Sequence, residues 1–341
     1  MLTLAYIGNG KSTNRYHLPF VLTRTDTFKV KTIYSRTNKG TWMPIPGVNY
    51  VHDLQTIYQD PEIDLVVITT PSPTHFQLAK ETLEAGKNVL LEKPFTETRQ
   101  EAQDLFDLAQ AKGLFIQAYQ NRRFDSDFLT LQKVIESGKL GDLHEIEMSF
   151  DYFRPQTPQS VDHYERINSF VYGHACHTLD QVISYFGRPQ AVHYDVKQLL
   201  GSGRMNDYFD VDMYYDFPLK VSVKSSYFRI KARPSFVAYG SKGMFVKASK
   251  DRQEEHLKLF YLPGPGHEDF GVDLPEHYGT LTYVDDQDNY HEEKVISEVG
   301  DYGRIYDGVY QSLVHGQAKL VKDQETLTQI DLLEQITANL K

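Results

Sequence analysis

Two groups of residues in this chain have the types and spacing for proton chemistry. The first is Glu92-Lys93-Pro94, which ends the apolar run Asn88-Val89-Leu90-Leu91. A lysine at the carboxyl end of a buried strand lies where open α/β sheets keep their ligands, so Lys93 is the candidate for moving a proton. The second is the segment Phe170 to Gln181, where His174, His177 and Asp180 stand three apart. At helical spacing these three share one face, while Leu179, Val182, Ile183 and Phe186 face the core. Histidine titrates near neutral pH unaided; lysine serves when burial depresses its pKa, or as a protonated donor polarising a carbonyl. The plainer readings are a surface lysine at a strand end and a hydrogen-bonded core histidine.

The elements that must position these groups begin with Leu2-Thr3-Leu4-Ala5-Tyr6-Ile7, a short apolar run that stops at Gly8-Asn9-Gly10 and precedes a helical stretch from Tyr16 to Leu22. Strand, glycine turn and helix in that order form the first unit of a dinucleotide-binding fold, whose backbone N–H groups and helix N-terminus hold a pyrophosphate. The third glycine of the full fingerprint is replaced by Thr13, so a plain strand-to-helix turn is the competing reading. A triphosphate loop is excluded, because the glycine it needs five residues before Gly10 is Ala5. Lys11 and Ser12 remain candidates for touching phosphate. The next strand, Phe28 to Tyr34, ends in Ser35-Arg36. A small hydroxyl followed by arginine suits the 2′-phosphate of NADP better than the ribose hydroxyls of NAD, because guanidinium bonds phosphate bidentately. A solvated Arg36 is the alternative, and the Asn38-Lys39-Gly40 loop leaves it open.

Asp64 to Pro71 reads as a strand buried on both faces, with a helix from about Thr74 to Ala85, a strand from Lys87 to Leu91, a helix from Arg99 to Lys112 stopped by Gly113, and a strand from Leu114 to Tyr119. This βαβ rhythm argues for a parallel sheet, with Thr69 and Thr70 on the ligand side with Lys93. A length of 341 residues favours two domains, placed at 1–121 and 122–341.

Composition narrows the partners. The chain has 36 basic and 46 acidic side chains, a formal net charge of −10 and no basic run longer than two residues. That disfavours nucleic acid and anionic membrane surfaces, and favours a small-molecule substrate. No stretch approaches the roughly 18 apolar residues of a membrane helix. One cysteine, Cys176, excludes an internal disulfide, and no leader pattern is seen, so a soluble cytoplasmic protein is expected.

Several of these pieces resemble the Gfo/Idh/MocA family of NAD(P)-dependent oxidoreductases: the strand and turn up to Gly10, Thr69-Thr70-Pro71 with His75 four residues after the proline, Glu92-Lys93-Pro94, Asn121-Arg122-Arg123, and Gly173 to Gly187. The resemblance implies an α/β chain: an N-terminal Rossmann doubly wound parallel sheet, then a C-terminal α+β domain with a large, mostly antiparallel sheet that often packs against a partner subunit in a homo-oligomer. It implies a dehydrogenase or reductase acting on CH–OH groups of sugars, inositols and related polyols. The cofactor, NADP or NAD, is then expected on Gly8, Asn9, Gly10, Lys11, Ser12, Ser35, Arg36, Thr69, Thr70, Pro71, His75, Glu92, Lys93 and Asn121. The resemblance places Lys93 beside the nicotinamide and the substrate oxygen, with His177 acting with it. Elementary chemistry agrees, since moving a hydride to or from a carbon obliges a proton to leave or reach its oxygen. His, His and Asp at this spacing can also bind zinc, but metal-free hydride transfer needs none and no metal is expected. Many relatives carry an acid four positions before this histidine, where this chain has Gly173. Asp180 or His174 can substitute, or the reaction rests on Lys93 and His177 alone. A non-enzymatic NAD(P)-binding regulator is the alternative on the same fold, and NAD-dependent glycoside cleavage a third reading.

In the second half, Phe128, Leu131, Val134 and Ile135 mark a helix between Phe124 and Leu140, and His144 to Phe150 alternates as the first strand of the large sheet. The loop from Arg154 to Tyr164 has the composition of a substrate lid, with Arg154, Asp162, His163 and Tyr164 as sugar contacts beside His174 and Asp180; an ordinary surface loop is the competing reading. Strands are expected at Val211 to Phe217, Leu219 to Phe228 and Phe236 to Tyr239, a turn-rich stretch from Pro263 to Asp288, and closing helices at Tyr302 to Val314 and Glu325 to Leu340.

Overall fold

The computed structural model describes residues 1–37 and 42–341, and the Asn38-Lys39-Gly40 loop lies outside the described residues. The chain divides into two compact units. One comprises Met1–Asn121, His256–Phe270 and Tyr302–Ile330; the other comprises Arg122–Glu255, Gly271–Asp301 and Asp331–Lys341.

The first unit is built on a six-stranded sheet of β1 (Leu2–Ile7), β2 (Phe28–Tyr34), β3 (Asn49–Val51), β4 (Leu65–Ile68), β5 (Asn88–Leu91) and β6 (Ile116–Ala118). All neighbours are parallel and the order is β3-β2-β1-β4-β5-β6. β4 and β5 read Leu-Val-Val-Ile and Asn-Val-Leu-Leu, and all but Asn88 are buried, as strands covered on both faces require. The strand order reverses between β1 and β4, which opens a crevice beyond their carboxyl ends. The helix Arg99–Lys112 starts with a reciprocal cap: the Thr98 hydroxyl accepts from the Glu101 N–H (3.2 Å), and the Glu101 carboxylate accepts from the Thr98 N–H (3.0 Å). It ends on Gly113 in the left-handed conformation, φ +65°.

The helix after the glycine turn departs from the expected Tyr16 to Leu22. It begins at Ser12, runs to His17 with wide, π-type turns, and continues as an α-helix over Leu18–Val21. Pro19 has no N–H to donate, so the regular ladder cannot run through it and the turns before it widen. Late segments complete this unit: Leu257 and Tyr302 pack with Phe20 in a separate buried cluster.

The second unit carries β7 (Leu143–Ser149), β8 (Ala191–Lys197), β9 (Tyr208–Tyr214), β10 (Lys220–Ser226), β11 (Phe236–Gly240), β12 (Gly243–Lys247), β13 (Gly279–Val284) and β14 (Tyr290–Val295). Their order is β14-β13-β12-β11-β7-β10-β9-β8, antiparallel except at β7 and β10. Alternation assigns the faces: Phe209, Val211 and Met213 of β9 enter the core, while Asp210 and Asp212 do not. Two helices cover that core face, Ser126–Glu136 through Phe128, Leu131 and Val134, and Cys176–Phe186 through Leu179, Val182 and Ile183. The stretch expected to be turn-rich as far as Asp288 contains β13, because Thr280, Leu281, Thr282 and Tyr283 pair with both β12 and β14. The glycine and proline signals describe only the residues before it. No helix among the described residues is long and apolar enough to cross a membrane.

Asp127 and Asp251 are among the acids buried in this unit. Burial and the neighbouring Asp127 push the Asp251 carboxyl up to about 7, against hydrogen bonds from Gln253 and from the Ser126 N–H (2.5 Å). The folded chain thus keeps a proton that the unfolded chain releases near pH 4. That contribution to stability is complete below about pH 4 and is lost as pH rises through about 7. Urea denaturation between about pH 5 and pH 8 should show stability falling with pH, with a shallower slope for Asp251→Asn; equal slopes would exclude Asp251 as the source.

Candidate active site

In the first unit the glycine turn sits at the switch point. Gly8 has φ +125°, and a Cβ there would lie 2.5 Å from the Thr69 hydroxyl, so glycine is required by both conformation and space. At Gly10 an added Cβ meets nothing within 4 Å, which leaves the turn open above its backbone. Thr13, in place of the third glycine, is buried, and its hydroxyl donates to the Gly8 carbonyl (2.7 Å) and meets the Thr69 hydroxyl (2.7 Å). Here a hydroxyl, rather than a missing side chain, joins helix to strand. Asn9 accepts from the Asn14 amide (2.9 Å), which bonds the Gly10 carbonyl as well (2.9 Å). Ser35 and Arg36 follow β2, with the Ser35 hydroxyl on the Thr37 carbonyl (3.2 Å) and Arg36 exposed. A narrow glycine at Gly8, open space at Gly10 and a cation after β2 fit the pyrophosphate and ribose end of a dinucleotide.

Lys93 stands two residues beyond the end of β5, and its peptide bond to Pro94 is cis. The adjacent Glu92 carboxylate accepts the Lys93 backbone N–H (2.8 Å), the Ser12 hydroxyl, and His17 Nε2 (3.1 Å). Burial opposes ionisation of Glu92, but His17, the Lys93 charge and Ser12 outweigh it and hold the carboxyl down at about 2. Behind it, His17 Nδ1 meets the Tyr306 hydroxyl (2.7 Å), which meets the Tyr6 hydroxyl (3.0 Å), and the imidazole stacks on Tyr119 (3.9 Å between centroids). Nothing local in the sequence marks His17 or Tyr306. His75 lies buried between two loops, Nδ1 at 2.8 Å from the Pro94 carbonyl and Nε2 at 2.9 Å from the Thr70 carbonyl. Burial lowers its pKa, against both carbonyls. Its ring therefore ties the end of β4 to the loop of Lys93. The Thr70 hydroxyl accepts from Thr74 (2.8 Å); Pro71 precedes the turn Ser72–Thr74, and Lys11 the first helix.

In the second unit Arg122 and Arg123 act as an anchor. Arg123 grips Asp180 with two bonds of 2.7 Å, both side chains buried, and Gln181 donates to the Arg122 carbonyl (2.6 Å). Asp180 thus faces Arg123, a partner the sequence spacing does not show. His177 stands in the helix Cys176–Phe186, whereas His174 belongs to the wide turn Val171–Ala175, so the two are not successive positions of one regular α-helical face. The His174 ring is enclosed by Phe170, Tyr152 and Tyr227 at centroid distances of 4.6, 5.2 and 5.6 Å. An added Cβ at Gly173 meets nothing within 4 Å. Among the described residues no group of three histidine, cysteine or acidic side chains converges as metal ligands would. In the 154–164 loop, Asp162 and His163 pair with each other in solvent (3.1 Å), Tyr164 is half-buried, and Arg154 lies over the Tyr152 ring.

The Glu92 network makes a measurable demand. His17→Phe keeps a ring against Tyr119 but deletes both nitrogens, leaving Glu92 and Tyr306 short of a partner. A hydrogen bond to a charged group is worth about 1.5–3 kcal/mol, and chemical denaturation should register a loss of that order. An unchanged midpoint would show that the network carries no stability.

Residues 2–120 match the family described as "Oxidoreductase family, NAD-binding Rossmann fold", and residues 128–246 match "GFO/IDH/MocA C-terminal domain". The chain is 44% identical to the oxidoreductase YhhX of Escherichia coli K12, covering 98% of this chain and 95% of that one. It is 30% identical to scyllo-inositol 2-dehydrogenase (NADP(+)) IolW of Bacillus subtilis 168, over 98% and 92% of the two chains. A crystal structure of an oxidoreductase from Bacillus cereus superposes with a TM-score of 0.92 at 41% identity, covering 99% of this chain and 96% of that one. With its parallel dinucleotide sheet and large second sheet, the chain belongs to the Gfo/Idh/MocA family of NAD(P)-dependent oxidoreductases.

Proposed function

We propose that the chain interconverts an alcohol and a carbonyl on a sugar, polyol or related small molecule, with NADP as the preferred cofactor and Lys93 and His177 handling the proton. The observation that carries this reading is the setting of Lys93: it leaves β5 beside the switch point, with its backbone N–H held by an ionised Glu92. Bound nicotinamide supplies the acceptor or donor of the hydride. Lys93 donates to the substrate oxygen and takes or returns its proton, and His177, half-exposed near the start of its helix, shares that transfer. Glu92, Ser12 and His75 position the Lys93 loop. Arg154 and His174 offer polar contacts to substrate, while Asp180 acts through Arg123 by holding the helix of His177. The preference for NADP rests on Ser35-Arg36 and on the similarity to the NADP(+) enzyme IolW. In this reading residues 1–121 carry the cofactor, residues 122–341 recognise substrate and join a second copy through the large sheet, and the protein works in the cytoplasm.

Lys93→Ala should keep cofactor affinity within about twofold while turnover falls by about 10²-fold or more, the usual contribution of general acid–base catalysis; undiminished turnover on an identified substrate would sink the assignment. Arg36→Ala should raise the Kd for NADP about tenfold, the loss of a charge-assisted bond to phosphate, and change that for NAD much less. Fluorescence titration with both cofactors measures this, and equal effects would refute the 2′-phosphate contact.

A further inference from the structure

Beyond β7 the chain stays extended, and Phe150, Tyr152 and Arg154 follow at the two-residue spacing that places side chains on one face of a strand. Backbone bonds fix this extension: the N–H groups of Phe150, Tyr152 and Arg154 donate to the carbonyls of Lys224 (3.0 Å), Ser226 (3.0 Å) and Tyr227 (2.9 Å). The His174 ring meets Tyr152 edge-on.

Cations converge on this aromatic floor. The Arg154 guanidinium lies 4.7 Å from the centre of the Tyr152 ring, and the Lys250 ammonium lies 4.5 Å from the same ring and 4.1 Å from that of Phe150. Arg122 adds a third positive charge 5.1 Å from Phe150. This gathering occurs in a chain whose net charge is −10. Asp151 is held by Arg233 through bonds of 2.9 Å, and Asp125 and Glu254 compensate Arg122 at 3.1 Å each, so Arg122 frames the floor while Arg154 and Lys250 supply the cations over the Tyr152 ring. Lys250 donates to the Asp151 carbonyl (2.8 Å). Burial keeps the Tyr152 phenol well above its ordinary range, so its hydroxyl stays protonated and supplies no counter-charge. Arg154 is exposed and forms no ion pair among the described residues. An anion placed over the Tyr152 ring would be attracted by both the Arg154 guanidinium and the Lys250 ammonium.

We propose that this face binds the anionic group of a polyhydroxy substrate, a carboxylate or a phosphate monoester, so that the alcohol handled by the enzyme belongs to a sugar acid or a sugar phosphate rather than to a neutral polyol. The proposal rests on the dehydrogenase reading above. The planar fork of Arg154 suits two oxygens of either anion, and the Lys250 ammonium adds a compact charge beside it.

The test uses the full chain with saturating NADP or NAD, followed by cofactor absorbance, on scyllo-inositol, D-sorbitol, D-gluconate, D-glucuronate and D-glucose 6-phosphate. The expected result is a kcat/KM at least about tenfold higher for an anionic compound than for either neutral polyol; gluconate and glucuronate against glucose 6-phosphate separate carboxylate from phosphate. Arg154→Ala should raise KM for the preferred anion by about tenfold with a much smaller change in kcat, and by a far smaller factor for a neutral polyol, with Arg154→Lys recovering part of the loss. Turnover of neutral polyols alone, or equal losses for charged and neutral substrates, overturns this proposal and leaves the dehydrogenase reading standing. Absence of turnover throughout the panel counts against the dehydrogenase reading. Calorimetric titration of the cofactor-loaded protein with gluconate and glucose 6-phosphate then decides the anion site: binding weakened by Arg154→Ala supports it, and no binding or undiminished binding overturns it.

Discussion

A single ionised carboxylate governs the first unit. Taking Glu92 out of water costs several kcal/mol, and only well-placed donors offset that cost. The donors come from different parts of the chain: the Ser12 hydroxyl from the start of the first helix, His17 from further along it, and the Lys93 N–H from the loop after β5. The glycine turn and the Lys93 loop are therefore registered against one buried charge. Tyr306 and Tyr6 form a further layer that fixes the imidazole, in the way outer partners orient the ligands of a metal.

The second unit solves the same positioning problem with a different device. Arg123 and Asp180 form a two-bond buried pair, which adds direction as well as attraction, and Gln181 binds the Arg122 carbonyl beside it. The helix that bears His177 is thereby pinned at its polar side, while Leu179, Val182 and Ile183 pin it at its apolar side. His174 is held differently, by three aromatic rings.

What could be read in the sequence follows the range of the forces involved. The parallel sheet was legible because β4 and β5 are unbroken apolar runs, and the helix Arg99–Lys112 because Ala102, Leu105, Phe106 and Ala109 recur at helical spacing and its stop at Gly113 is a local signal. The turn at Gly8 and the loop at Lys93 were legible because each follows directly on a short apolar strand, β1 in one case and β5 in the other. The partners of Glu92 were not: His17 lies 75 residues from Glu92 and 289 from Tyr306, and no periodicity connects them. Thr13 read as a missing glycine because its hydroxyl bonds to Gly8 and Thr69 only after folding. Asp180 read as part of a polar face because Arg123, its partner, is 57 residues away. β13 was hidden because half of its stretch carries turn signals and its pairing partners lie on either side.

The interleaving of the two units along the chain bears on how the protein is made. The first unit takes residues from three separate segments, the last beginning at Tyr302. A ribosome adding roughly 5–20 residues per second takes on the order of ten to forty seconds between Asn121 and Tyr306. Throughout that interval the residues of the six-stranded sheet are already made, while Tyr302 and Tyr306, the late partners of Phe20 and His17, are not. The buried contacts of the first unit to Tyr302 and Tyr306 therefore close only after its last segment has been made.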